Sequence, residues 1–214
     1  MSTTSNKYPF FDLSEIVPEY DFHYKNYKPL NPVKAGNSVP DFNLSAGFSR
    51  WQRFYNGAPT HGPAQVKQLL NAPLVIAFYS GEWNDYGTEH LKQLNAIQYE
   101  IKANGGNLLI INADDKSAEL EKTVWENNLS LNFYYDRDNE LAEKFRVYSE
   151  ENPTWSTYAG IDVNVPLLAT YVIDPSKHIV YQHIDKELTG TFYADDILSA
   201  VHEAAFILNH KRSA

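Results

Sequence analysis

Leu74-Val75-Ile76-Ala77-Phe78-Tyr79-Ser80-Gly81-Glu82-Trp83-Asn84-Asp85-Tyr86-Gly87 decides the reading of this 214-residue chain. Its first six residues are a short continuous apolar run, the pattern of a strand buried on both faces. Leu91, Leu94, Ile97 and Ile101 follow at helical spacing and stop at Gly105-Gly106. Working outward, Leu108 to Ile111 repeat the buried-strand pattern. Ser117 is placed to cap a helix presenting Leu120 and Val124, with Asn127-Asn128 as its stop. Leu131 to Tyr135 predict a third strand, and Asp138 or Asn139 starts a helix with Leu141, Ala142 and Phe145 inward. Tyr148 to Val165 shows no period and holds Pro153 and Gly160, so a loop-rich excursion is expected. Ala169–Ile173 and Ile179–Ile184 flank the turn Asp174-Pro175-Ser176-Lys177 and predict a hairpin. The last helix carries Ile197, Val201, Ala204, Ala205 and Leu208 on one face, with His210-Lys211-Arg212 complementing its dipole. Strands alternating with helices need crossover connections and run parallel, whereas the hairpin adds antiparallel strands. An α/β protein follows, with a mixed central sheet between helical layers.

Composition narrows the chemistry. Lys and Arg number 18 against 27 Asp and Glu, a net charge of −9, which repels phosphate backbones and argues against nucleic-acid partners. No run approaches the roughly 18 apolar residues of a membrane span, so no membrane partner is expected. Met1 to Lys7 are polar and lead into no apolar signal core, so a cytoplasmic chain is expected. The cysteine count is zero, which removes disulfides, thiolate nucleophiles and cysteine-ligated metals together.

Four segments carry a resemblance. Gly36-Asn37-Ser38-Val39-Pro40-Asp41-Phe42 fits an opening Gly-x-x-x-Pro-x-Phe, and Phe78 to Trp83 fit the strand and turn that lead into a redox motif. Asp136-Arg137-Asp138-Asn139-Glu140-Leu141-Ala142 follows the third strand, and Ala169-Thr170-Tyr171-Val172-Ile173-Asp174 precedes the hairpin. In this order they resemble the alkyl hydroperoxide reductase and thiol-specific antioxidant family, the peroxiredoxin-like redoxins of thioredoxin fold. The resemblance covers about Gly36 to Ala205. It implies a three-layer α/β/α thioredoxin-like domain over 36–214, preceded by an aromatic-rich N-terminal extension over 1–35. It also implies a peroxidase or thiol oxidoreductase.

The departures fall on the chemistry. Such relatives carry Cys-Pro-Tyr-Cys after the tryptophan, where this chain reads Asn84-Asp85-Tyr86-Gly87. The family's cis-proline before Ala-Thr is Leu168 here, and a trans bond is expected because a non-proline cis peptide costs roughly 3 kcal/mol. Peroxide reduction and disulfide exchange need a thiolate, and asparagine offers no such nucleophile. Ser80 to Gly87 are therefore expected to form a vestigial redox loop, with Asn84 or Asp85 capping the helix that follows.

Other chemistry is thinner. His178 and His183 point to opposite faces of one strand, and Glu89 and His90 diverge by roughly 100° on a helix. No metal site, cofactor site or catalytic residue is therefore assigned. Asp114-Asp115 ends the second strand at the sheet edge where ligands often bind, although a turn before Ser117 explains it as well. Trp51, Phe54 and Tyr55 combine with Arg50 and Arg53 in an insertion before the first strand. They suit a contact hot spot for a homodimer or protein partner, as does the N-terminal arm, and serve equally as cover for a core. The expected function is a non-redox binding or interaction protein. The alternatives are a non-thiol enzyme using Glu82, Asp85 or His90 in the old cleft, or a structural subunit of a redox assembly.

Overall fold

The computed structural model describes residues 27–44, 64–65, 69–114 and 117–213. Seven strands and four α-helices are found among them. These are β1 (Asn43–Leu44), β2 (Ala64–Gln65), β3 (Leu74–Tyr79), α1 (Asn84–Ala103), β4 (Asn107–Asn112), α2 (Ser117–Glu126), β5 (Phe133–Tyr135), α3 (Glu140–Lys144), β6 (Ala169–Ile173), β7 (Ile179–Ile184) and α4 (Ala194–Ser213). Short 3-10 turns occupy Gly81–Trp83 and Thr154–Ser156.

Five strands form one mixed sheet in the order β5-β4-β3-β6-β7. β3, β4 and β5 are parallel, joined by helical crossovers, while β6 and β7 are antiparallel, as the hairpin required. β3 is central and wholly buried, and its side chains alternate between two cores. Val75, Ala77 and Tyr79 face α1, α2 and α4, with Leu91, Leu94, Ile101, Leu120, Ile197 and Val201. Leu74, Ile76 and Phe78 face the other layer, where Phe145, Tyr171, Phe42 and Leu168 pack. Phe145 lies 5.0 Å from the Tyr171 ring and 5.3 Å from that of Phe78.

The arm from Tyr27 to Ala35 lies on its own domain: the Val33 N–H donates to the Phe145 carbonyl, and the Tyr27 ring meets Trp155 edge-on. Gly36 to Val39 then run beside the start of β7. The Gly36 N–H donates to Ile179, Ile179 donates to Asn37, and Val39 donates to Lys177. The Gly-x-x-x-Pro-x-Phe segment thus covers part of an otherwise open sheet edge and delivers Phe42 to the core. The earlier arm and the Trp51, Phe54, Tyr55 segment lie outside the described residues.

One local expectation is corrected, and the start of one helix finds its cap. Leu131 is buried but precedes the ladder, so β5 is three residues long. α3 does begin after Asn139, but Asn139 sits at φ 54° and makes no side-chain cap. The Asp136 carboxylate takes that role, accepting from the Leu141 and Ala142 N–H groups. Its reach comes from the turn between Asp136 and Asn139, which folds the carboxylate under the first turn of the helix. Burial raises the Asp136 pKa, and these two backbone donors oppose the shift.

Candidate functional site

The central strand ends at Tyr79, so Ser80 to Gly87 emerge at the carboxyl end of the sheet, between the end of β4 and the start of β6. Ser80, Trp83 and Asn84 have roles there that the linear order does not show. Ser80 caps the 3-10 turn, its Oγ accepting from the Glu82 N–H at 3.2 Å. The Ser80 hydroxyl in turn donates to Asp114 Oδ1 at 2.7 Å, and the Gly81 N–H donates to Asp114 Oδ2. The carboxylate just after β4 therefore fastens the loop, while α1, with Trp83 at its N-cap position, has no side-chain cap, so the expected cap by Asn84 or Asp85 is not formed. Asp85 is exposed, and Asn84 uses its side-chain amide as a donor, to the Glu82 carbonyl at 3.0 Å. Asn84 joins the 3-10 turn to α1 with φ 51° and ψ −126°. Asparagine tolerates positive φ better than most side chains, which accounts for its presence at this joint.

Trp83 closes the loop from inside. It is 1% exposed, its Nε1–H donates to the Pro166 carbonyl at 2.7 Å, and its ring meets Tyr158 edge-on at 5.1 Å. Leu168 is buried in the same core, the described peptide bonds are all trans, and the Leu168 carbonyl accepts from the Asp185 N–H. Gly87 occupies the second thiol position of the motif. A Cβ built there would lie 2.9 Å from the Ser80 carbonyl oxygen, 3.1 Å from Tyr79 Cε2 and 3.2 Å from Trp83 Cβ. The position has no room for any side chain. Tyr86 stands 48% exposed on the outer face of the same turn.

His90 keeps different company from that expected of an acid–base group beside Glu82 and Asp85. It points to the sheet, 8% exposed, with Nε2 at 3.1 Å from the Thr170 hydroxyl and its ring covered by Phe192. Burial holds its pKa down at about 4; His183 pushes it lower and Asp185 raises it. The charged groups acting on His90 thus come from β7 and the segment after it. His178 precedes β7, and no metal-binding group of three His, Cys, Asp or Glu occurs among the described residues.

A cleft of about 180 Å³ lies beside this loop. Pro29 and Leu30 of the arm, Pro153 and Tyr158 of the excursion, and Leu167 give it apolar walls; Lys28, Lys186 and Glu187 stand at its lip. Tyr158 belongs to both places, touching Trp83 on one side and the cleft on the other. Sequence reasoning missed these walls because they come from three distant segments with no shared motif. Asp114 was legible as an end-of-strand carboxylate, but its reach to Ser80 was not.

The AhpC/TSA family model matches residues 35–182. Over 178 residues the chain is 24% identical to Peroxiredoxin Bcp of Escherichia coli strain K12, covering 82% of this chain and 100% of that protein. The reduced Plasmodium vivax 2-Cys peroxiredoxin has a similar fold, with a TM-score of 0.58, 17% identity and 85% of each chain covered. Peroxidoxin BcpB of Mycobacterium tuberculosis gives 0.53 and 18%, over 83% of this chain and 97% of that one. The thioredoxin-like fold is shared, the cysteines are absent, and with more than half its length matched the chain belongs to the AhpC/TSA family.

Proposed function

We propose that this chain is a binding member of its family that performs no thiol chemistry and takes a small, mainly apolar anion in the cleft beside the old redox loop. A thiol peroxidase step has no nucleophile here, because the chain contains no cysteine. One observation carries the reading: Tyr158, the ring packed on Trp83, is also a wall of an open apolar cleft. The cleft is comparable in size with a cavity of roughly 150 Å³ that accepts a benzene ring. Lys28 and Lys186 outnumber Glu187 at its lip, a local excess of positive charge in a protein of net charge −9, which favours an anionic head over a cationic one.

Benzoate titrated by amide chemical shift tests the reading, with neutral benzamide as the charge control. Shifts confined to Leu30, Thr157, Tyr158 and Lys186, stronger for benzoate, are expected. Thr157→Trp fills the mouth from an exposed position and should abolish them. Shifts elsewhere, or shifts that persist in Thr157→Trp, would overturn the assignment. Native mass spectrometry of protein from its own host should show a small-molecule adduct that Thr157→Trp lacks.

A further inference from the structure

The segment after β7, Asp185 to Phe192, is a strap with two different ends. Its near end places Lys186 and Glu187 at the lip of the cleft. Its far end lays Phe192 edge-on against His90, ring centres 6.0 Å apart. Between them Asp185 ties a knot, accepting from the Thr189 N–H and hydroxyl through Oδ1 and from the Gly190 N–H through Oδ2. Leu188 at φ 50° and Gly190 at φ 68° give the strap its bend. It is pinned by Gln93, donating to the Gly190 carbonyl at 3.3 Å, and by His183 Nε2, donating to the Thr191 carbonyl at 3.0 Å. One short segment is therefore both a wall of the cleft and the cover of a buried imidazole.

We propose that this strap is a proton-controlled gate on the cleft, closed over neutral His90 and opened when His90 gains a proton. The inference rests on the cleft being the binding site. The surroundings of His90 suit only the neutral ring. β6 offers the Thr170 hydroxyl, a neutral partner for one ring nitrogen. β7 offers His183, and the strap offers Asp185 and Phe192; the effects of His183 and Asp185 oppose each other, so burial dominates. On α1 itself Glu89 is exposed and Gln93 is engaged with Gly190. An imidazolium would carry two N–H donors into this space, where the Thr170 hydroxyl stands at one ring nitrogen and the residue is only 8% exposed to water.

The sign follows from linkage. With the strap closed, the ring's pKa is about 4; with it lifted, the ring is hydrated and returns to its ordinary 6.5. Closure is thus fully favoured above pH 6.5 and weakens as pH falls toward 4. From that 2.5-unit gap the closing constant drops roughly 30-fold between pH 8 and pH 5, and roughly 300-fold at the acid limit.

The test is NMR on the full chain between pH 7.5 and 4.5, following the His90 ring protons and the Thr189 and Gly190 amides. The expected result is a common midpoint for ring and amides, absent from the amides of His90→Gln, where Asp185 and His183 remain. Should His90→Gln fail to fold, Phe192→Ala decides: uncovering the ring should move the His90 midpoint toward 6.5. Strap amides that titrate unchanged in His90→Gln, or stay still while His90 titrates, would overturn the gate; so would an unmoved midpoint in Phe192→Ala. Benzoate separates the two claims. Affinity falling up to roughly 30-fold at pH 5 in the wild type, and level in His90→Gln, supports both. No benzoate binding at any pH overturns the cleft reading and with it the gate on the cleft.

Discussion

Replacing Gly87 by alanine puts one methyl group into a space already occupied. The new Cβ would sit 2.9 Å from the Ser80 carbonyl oxygen and 3.2 Å from Trp83 Cβ, atoms of the backbone or next to it, and 3.1 Å from the Tyr79 ring. None of the three is the free end of a flexible side chain. Ser80 is held by Asp114, and Trp83 by its bond to Pro166, so the neighbours cannot move cheaply. Overpacking of this kind costs about 1–3 kcal/mol, and the rigid setting places this case near the upper end. Alanine recovers about 1 kcal/mol because glycine is a poor helix former. The net expectation is a loss of about 2 kcal/mol, or a Tm lower by about 4–8 °C for a chain of this size. Urea unfolding followed by tryptophan fluorescence measures it directly, since Trp83 is buried against the altered site. A variant as stable as the parent, or more stable, would refute the argument. The same geometry predicts that restoring Cys-Pro-Tyr-Cys at positions 84–87 yields no working redox pair. The second cysteine meets the contacts that reject alanine, and the first must take φ near 51°.

Other perturbations follow from the same contacts. Trp83→Phe leaves the buried Pro166 carbonyl without its donor and should cost about 1–3 kcal/mol in chemical denaturation. Asp114→Ala removes the acceptor for both the Ser80 hydroxyl and the Gly81 N–H; a loss of about 2 kcal/mol is expected, with faster hydrogen exchange at Gly81. Lowering pH should erode global stability through His90. Its folded pKa of about 4 lies below the unfolded 6.5, so its contribution is whole above pH 6.5 and lost as pH falls to 4. The 2.5-unit gap sets an upper limit of about 3 kcal/mol, reached when the strap stays closed, and His90→Gln should remove that part of the pH dependence.

Much of the fold was legible because burial writes itself locally. The unbroken apolar run from Leu74 to Tyr79 made β3 a strand covered on both faces, and the period of Leu91, Leu94, Ile97 and Ile101 fixed the buried stripe of α1. Where the sequence reading slipped, two local groups competed for one role. Asn139 and Asp136 both stand before α3, whereas Asn84 and Asp85 open α1 itself and Ser80 caps only the 3-10 turn ahead of it. Choosing between them requires the backbone angles of the turn, which residue type restricts but does not fix.

The sequence by itself determined the class of fold, through its alternating periods, and excluded thiol chemistry, through the absence of cysteine. Tertiary structure alone decided which groups meet. Trp83 reaches Pro166 across 83 residues, Thr170 meets His90 across 80, and Ser80 meets Asp114 across 34. The cleft joins the arm, the excursion and the strap. The physical reason is range. Periodicity records which face of a strand or helix leaves water, and neighbours in the chain share that information. A hydrogen bond or cleft wall depends on strand order and register, which emerge only when the whole sheet is assembled.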